Sequence, residues 1–180
     1  MIVSGTKELP ATRETVWGVI NEPAEMAKLM PGVESFEIQD DRHWTAKVKV
    51  PLGLGGLKMS IAFTKLEERP LEFASLNAKG QGVGALMDMK TSFTLSEAGA
   101  GTSMAWEADV KIAGPVGAMG QRVLQPIVNQ QVSQVLAALE QRVGAAGGAG
   151  GGAEQGIHPA SPDAYDAEPE GPTHSTTNDS

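Results

Sequence analysis

The sequence contains no cysteine and no hydrophobic run long enough to cross a membrane. Without cysteine there is no disulfide, no thiolate metal ligand and no cysteine nucleophile. No apolar stretch approaches the roughly 18 residues of a transmembrane helix. The N-terminal MIVSGTKELP also lacks the basic start and apolar run of a secretory signal. These absences predict a soluble protein that is at most peripheral to a membrane.

Side chains suited to acid–base catalysis are scarce as well. The histidines are His43, His158 and His174, and the one tyrosine is Tyr165. All except His43 fall after residue 144, and His43 opens a predicted strand beside a turn. A general acid–base enzyme needs such groups in its interior, and no spacing in the sequence resembles a metal-ligand cluster. We therefore expect no catalytic site and no metal site.

Basic residues are absent from the last part of the chain. Residues 144–180 contain no Lys or Arg and six acidic residues, whereas residues 1–143 contain 14 basic and 16 acidic residues. A near-neutral body with an acidic tail argues against non-specific binding to nucleic acid. The tail is rich in Gly and Ala and then in Pro, Ser and acids, so it is predicted to be disordered. Residues 1–143 are predicted to form one domain.

Alternating polarity predicts an antiparallel sheet between two helical regions. Thr12 is a candidate N-cap for a first short helix, and Pro23 suits the start of a second. A long helix is predicted over 115–143, with Gly144 ending it. The predicted strands are 2–9, 33–39, 43–50, 57–68, 71–80, 84–97 and 102–112. The predicted fold is α+β: a curved antiparallel sheet of about seven strands, two short helices after the first strand, and a long C-terminal helix covering the apolar face.

Pro126 interrupts the predicted long helix and should bend it. Two interpretations are open. The helix simply curves to follow the sheet, or the bend separates a tightly packed C-terminal half from a looser N-terminal half that admits a ligand. Near the bend, the amides of Gln121, Gln125 and Asn129 are candidates for a hydrogen bond to a ligand carbonyl.

Several short motifs resemble one known family. They are RETVW at 13–17, NEP at 21–23, PGVES at 31–35 and the stretches AKGQGVGAL and GTSMAWEADVKIAGPVGAMGQRVL. Together, over residues 1–143, they are similar to the CoxG proteins of carbon monoxide dehydrogenase, which belong to the START-like (SRPBCC) helix-grip superfamily. The chain departs from that pattern at Val33, where many relatives carry cysteine, and in its tail, which lacks the hydrophobic membrane anchor of some relatives.

The resemblance implies a helix-grip fold and a non-catalytic accessory protein of aerobic carbon monoxide dehydrogenase. Such a protein would bind a lipid or an isoprenoid quinone as ligand, with no cofactor, and link the enzyme to the respiratory membrane. The implied partners are that ligand and the dehydrogenase subunits, which the acidic tail is a candidate to contact. The implied location is the cytoplasm, with contact at the inner face of the cell membrane left open. The alternatives are a recruitment factor without a ligand and, last, a cyclase- or aromatase-type enzyme.

The inward-facing side chains of this fold are the candidate ligand site. None is charged, and methionine can line a cavity of irregular shape because it is unbranched and polarizable. The same residues would equally form an ordinary packed core. The predicted ligand-binding residues are Trp44, Val48, Met59, Ile61, Phe63, Met87, Met89, Phe93, Met104, Trp106 and Ala108 from the strands, and Met119, Val123, Leu124 and Ile127 from the long helix.

Overall fold

The structure is a computed structural model that describes residues 1–155, with side chains described for residues 1–146. A single antiparallel sheet is combined with three helices, which confirms the predicted α+β class. The strands are β1 (Ile2–Leu9), β2 (Val33–Ile38), β3 (His43–Val50), β4 (Leu57–Arg69), β5 (Phe73–Gly82), β6 (Ala85–Ala98) and β7 (Gly101–Ala113); the helices are α1 (Arg13–Ile20), α2 (Pro23–Leu29) and α3 (Gln121–Gln155).

The seven strands lie in the order β1-β7-β6-β5-β4-β3-β2, so that β1 and β2 form the two edges. Every neighbouring pair is antiparallel. β2 to β7 follow one another along the chain as hairpins, whereas α1 and α2 carry the chain from one edge of the sheet to the other. Register shifts between Val33 and Ser35 and between Lys65 and Glu67 add local twist to the sheet.

Side chains of alternate residues point to one covered face, as the period of two predicts. In β3, for example, Trp44, Ala46 and Val48 are buried while Lys47 and Lys49 between and beyond them are exposed. The opposite face of the sheet carries the polar residues. The sequence therefore determines which face is covered, because one face only can be packed against the helices.

The two short helices begin where the sequence predicts. Thr12 caps α1, and its Oγ1 accepts a hydrogen bond from the backbone N–H of Thr15 at 3.3 Å. Pro23 occupies the first turn of α2, where its missing N–H is not needed. Thr102 on β7 fixes this region to the sheet, because its buried hydroxyl donates to the Ala11 carbonyl at 2.7 Å.

Both ends of α3 differ from the prediction. The helix begins at Gln121 rather than at 115, since Gly120 adopts φ 84°, which the helix backbone does not allow. A separate 3₁₀ turn at Gly117–Met119 precedes it. The helix also continues past Gly144 to Gln155, so that Gly144 does not act as its terminator. The rest of the predicted disordered tail, 156–180, lies outside the described residues.

Three groups of buried residues form the core. One lies under α1 and the C-terminal part of α3, and includes Leu9, Val16 and Met104. A second lies on β3, β4 and β5, where Trp44 and Phe63 stack with their ring centroids 5.4 Å apart. A third, smaller group lies near β1 and β7. Between these groups a cavity remains under the N-terminal part of α3, and Val128 and Val132 of that helix pack against the third group beside it.

Candidate functional site

A cavity of about 280 Å³ lies between the covered face of the sheet and α3. Strands β3 to β7, helix α2 and the N-terminal and middle turns of α3 all contribute side chains to its wall. The wall is almost wholly apolar, and none of the described side chains that line it is ionisable. The cavity is thus suited to an uncharged, apolar molecule.

Ten of the residues predicted to bind a ligand lie on this wall. Eight come from the sheet and two from α3, where they face the strands across the cavity. They are Val48, Met59, Ile61, Phe63, Met87, Met89, Phe93, Trp106, Leu124 and Ile127.

Three predicted strand residues face inward but do not reach the cavity. Trp44 is 2% exposed and stacks on Phe63. Met104 is fully buried beneath α1 and the C-terminal part of α3, and Ala108 is buried beside Val3. The alternation of polarity indicates which face a side chain is on. It does not indicate at which positions along the strand the covering helix is too far from the sheet to contact it.

Two predicted helix residues, Met119 and Val123, do not face the cavity. They are 49% and 47% exposed, respectively. The prediction extended one regular helix back to 115, whereas Met119 belongs to the 3₁₀ turn and Val123 to the first turn of α3. The amides proposed near the bend, Gln121, Gln125 and Asn129, are also exposed.

Residues that the sequence-based prediction missed complete the wall. Met26 and Met30, on and just after α2, add two methionines to the three on the strands. Val128, Val132, Val135 and Leu136 belong to the apolar stripe that predicts the long helix, but they were not among the predicted ligand-binding residues. The further missed residues are Pro31, Val50, Leu52, Leu57, Leu76, Ala85, Thr91, Val110, Ile112, Val116 and Gln131.

Small residues on β5 lie behind methionines of the cavity wall. Ala78 is fully buried, and at Gly80 an added Cβ would lie 2.8 Å from the Met59 side-chain methyl and 3.2 Å from that of Met87. Any side chain at position 80 would therefore push these methionines into the open volume. Glycine at this position keeps the space between β4 and β6 free.

Three polar side chains interrupt the apolar wall. Thr91 on β6 and Trp106 on β7 lie two residues out of register on adjacent strands, since Thr91 pairs with Ala108. Thr91 Oγ1 and Trp106 Nε1 are buried, and neither has a hydrogen-bond partner among the described residues. The indole of Trp106 lies against Gly5 on β1. Gln131, partly buried on α3, is the third polar residue of the wall.

Charged contacts hold α3 at its far end. Lys7 on β1 lies 2.6 Å from Glu140, and Arg142 donates a hydrogen bond to Glu25 on α2 at 2.5 Å. The hydrogen bonds from Arg142 and then Lys28 lower the pKa of Glu25 from 4.5 to about 2. These ion pairs fix the C-terminal part of the helix and lie outside the cavity wall.

A metal-ligand cluster and a membrane-spanning helix are both absent from the described part of the chain. Residues 1–155 contain no cluster of three or more His, Cys, Asp or Glu side chains that could hold a metal ion. None of the described helices is both long enough and apolar enough to cross a membrane.

Most of the chain matches a known protein family. Residues 5–144 match the family of the CoxG subunit of carbon monoxide dehydrogenase, so the chain belongs to that family. No curated protein matches the chain.

Solved structures show the same fold at low sequence identity. A conserved protein from Geobacillus kaustophilus is 19% identical, with a TM-score of 0.74 over 80% of this chain and 95% of that one. A START superfamily protein from Mycobacterium smegmatis is 18% identical, with a TM-score of 0.61 over 79% and 96%. The Zhui aromatase/cyclase from Streptomyces sp. R1128 is 16% identical, with a TM-score of 0.57 over 82% and 98%. The fold is therefore START-like.

Proposed function

We propose that this member of the CoxG family is a non-catalytic accessory protein of carbon monoxide dehydrogenase that binds a hydrophobic ligand, an isoprenoid quinone, in the cavity beneath α3. The apolar wall is the observation that carries the proposal. A packed core would fill this volume with its own side chains, whereas here methionines from β4, from β6 and from α2 and its C-terminal end surround open space.

The size of the cavity limits how such a ligand is held. Small-molecule sites usually have volumes of about 300–1,000 Å³, so 280 Å³ is just below that range. A quinone ring and the first part of its tail are a reasonable fit. A longer tail must leave the cavity along the apolar side of α3, or displace the flexible methionines Met59, Met87 and Met89.

The polar side chains of the wall suit the oxygen atoms of a quinone. A buried hydroxyl or indole N–H without a partner costs about 1–3 kcal/mol, and a ligand carbonyl would recover part of that cost. Thr91 and Trp106 can both donate a hydrogen bond, and the amide of Gln131 can do so from the helix side.

Membership of the family motivates the link to carbon monoxide dehydrogenase. A dehydrogenase that is not itself in the membrane must pass its electrons to a membrane-bound acceptor, and a protein that carries a quinone would provide the connection. In the alternative role, as a recruitment factor alone, the protein would bind the dehydrogenase while the cavity stays without a ligand.

Titration of the purified protein with a short-chain naphthoquinone tests the proposal. The quinone should quench tryptophan fluorescence, because Trp106 lies on the cavity wall. Ile127→Lys should abolish saturable quenching, since it places a charge in an apolar cavity. Val123→Lys is the matched control: it lies one turn earlier on the same helix but is 47% exposed, and it should bind as the wild type does.

A second pair of variants tests the polar contact. Thr91→Val removes the hydroxyl at nearly constant volume and should weaken quinone binding about tenfold, the effect of one buried hydrogen bond. Thr94→Val, an exposed position on the same strand, should leave binding unchanged. Equal binding by wild type and Ile127→Lys would contradict the carrier function and favour the recruitment role.

A further inference from the structure

We propose that one end of the sheet, the end at which α3 begins, is a docking surface for an anionic lipid bilayer. This surface consists of residues 30–32, 51–56, 83–84 and 114–120, named here the cavity-end loops. The inference rests on the proposed function in one respect: docking at this end would give the hydrophobic ligand a route into the cavity. The docking itself is tested separately.

The topology brings four separate connections together at this end. β3 ends and β4 begins there, as do β5 and β6, while β2 begins and β7 ends at the same level. The loops before β2 and after β7 therefore lie beside the two hairpin turns. A hydrogen bond of 2.9 Å from the Val116 backbone N–H to the Gly84 carbonyl joins two of the four loops directly.

Apolar side chains protrude from this end. Leu54 is completely exposed and Val83 is 92% exposed, each at the tip of a hairpin. Leu86, Met119 and Val123, next to or within these loops, are about half exposed. Single exposed aliphatic residues are common on protein surfaces, but five that cluster at one end of the sheet form an apolar surface that calls for a partner.

Charge is segregated between the two ends of the sheet. The cavity-end loops contain no charged residue, and the residues within three positions of them include five basic side chains and one acidic, Glu34. The basic ones are Lys28, Lys49, Lys58, Lys111 and Arg122. The loops at the opposite end, with the same margin, include nine acidic and four basic side chains. An anionic surface would therefore attract the cavity end and repel the other.

The chemistry of the loops suits a bilayer better than a protein partner. They contain methionine but no aromatic residue and no arginine, which are also enriched at protein interfaces. Their apolar groups sit on separate short tips, which can enter the lipid boundary while flanking lysines stay at the level of the headgroups. Each basic group near an anionic membrane contributes about 1 kcal/mol of attraction.

The same loops form part of the cavity wall. Pro31, Leu52 and Val116 line the cavity from this end. A protein docked here would hold its cavity against the lipid, so that an apolar ligand could pass between the two with little contact with water. This continuity between the cavity-end loops and the cavity is a further reason for placing the bilayer at this end.

Co-sedimentation of the full chain with vesicles tests the proposal. The protein should bind vesicles of phosphatidylcholine with about 30% phosphatidylglycerol more strongly than vesicles of phosphatidylcholine alone, and added salt should weaken the binding. Leu54→Glu with Val83→Glu should lower the partition coefficient at least about tenfold. Lys49→Glu with Lys58→Glu should lower it to a similar extent.

Matched variants outside this end serve as controls. Leu66→Glu places a charge at a residue that is 41% exposed toward the opposite end of the sheet, and Lys90→Glu reverses an exposed charge in the middle of β6. Both should bind vesicles as the wild type does. Equal vesicle binding by the Leu54/Val83 variant would overturn the proposal. So would capture of carbon monoxide dehydrogenase by the same loops without any binding to vesicles.

Quinone titration in vesicle-free solution separates this proposal from the proposed function. The Leu54/Val83 variant should keep wild-type quinone affinity, because neither residue lines the cavity. Loss of vesicle binding with retained quinone binding supports the docking surface. A protein that binds vesicles through these loops but never binds quinone would leave the docking surface standing and contradict the carrier function.

Discussion

The two halves of α3 illustrate two different uses of one helix. Around Leu139 and Val143, which are 2% and 0% exposed, the helix packs into the core with α1 and β1 and is held by ion pairs to β1 and α2. Around Ile127 the side chains instead line the cavity, and Val128 beside it also packs against the buried group on β1 and β7. Pro126 lies in this N-terminal half of the helix and removes a backbone hydrogen bond from it.

This difference indicates how a small domain can be stable and still keep a cavity. Burial under the C-terminal half and in the two other core groups provides the stability, so the N-terminal half can cover a ligand without closing the space beneath it. The sequence offered this as one of two interpretations of the proline. The inward-facing side chains favour it, because Ile127 and Val128 are only partly buried whereas Leu139 and Val143 are buried.

The largest expected effect comes from breaking the packed half. Leu139→Ala should lower the free energy of unfolding by about 3 kcal/mol, since it leaves a cavity in a filled core. Ile127→Ala, the matched change in the other half, should cost only about 1 kcal/mol because its side chain already borders open space. Urea denaturation followed by circular dichroism measures both.

The effects of the two substitutions on quinone affinity should have the reverse order. Ile127→Ala should weaken quinone binding, whereas folded Leu139→Ala should bind nearly as well as the wild type at a temperature well below its unfolding transition. Equal destabilisation by the two substitutions would mean that the N-terminal half of the helix is packed as tightly as the rest, and the comparison would fail.

A smaller effect is expected from straightening the helix. Pro126→Ala restores the backbone hydrogen bond to the Arg122 carbonyl, and should raise the free energy of unfolding by about 2 kcal/mol: roughly 3 from helix propensity, less about 1 from the freer unfolded chain. A stiffer cover should also slow ligand entry, so the association rate of the quinone in stopped-flow fluorescence should fall.

An alanine at an exposed position in the packed half provides the control. Gln134→Ala adds helix propensity without changing the bend, and should alter neither the association rate nor the free energy of unfolding by more than about 0.5 kcal/mol. An unchanged association rate in Pro126→Ala would assign the proline to curvature alone, the other interpretation of the sequence.

Much of the fold was predictable because its strands carry a clear period of two. The bounds of β1 and β3 are those predicted, and Thr12 and Pro23 mark the starts of α1 and α2. The start of α3 was not predictable from its apolar stripe, which continues into the preceding segment. The left-handed conformation of Gly120 decides where the helix begins, and periodicity does not report it.

The sequence predicted which face of the sheet carries the candidate site, but not which residues on that face border the cavity. Met59, Met89 and Met104 all lie on the covered face, yet Met104 lies where the helices close onto the sheet and the other two where they do not. That distinction depends on how α3 tilts over the strands, which no local pattern encodes. For the same reason the contribution of Met26 on α2 was missed.

The smallest expected effect concerns the ion pair that ties α3 to α2. The hydrogen bonds from Arg142 and Lys28 hold the pKa of Glu25 at about 2, below its ordinary value of 4.5. Because the folded-state value is the lower one, the charged carboxylate stabilises the fold above about pH 4.5, and this contribution is lost as the pH falls from there toward 2. Glu25→Gln should therefore unfold a few degrees below the wild type at pH 7 and at nearly the same temperature near pH 2, with the difference reduced because Arg142 is 41% exposed.

A control variant at an exposed carboxylate and a measurement of quinone affinity complete the test of this ion pair. Glu37→Gln, an exposed position on β2, is the control and should unfold at the wild-type temperature at pH 7. Quinone affinity at pH 7 should stay within about twofold of wild type in Glu25→Gln, because the pair lies outside the cavity wall. A drop in affinity as large as that of Ile127→Lys would mean that the anchor shapes the cavity through α2, and that the two halves of the helix do not act independently.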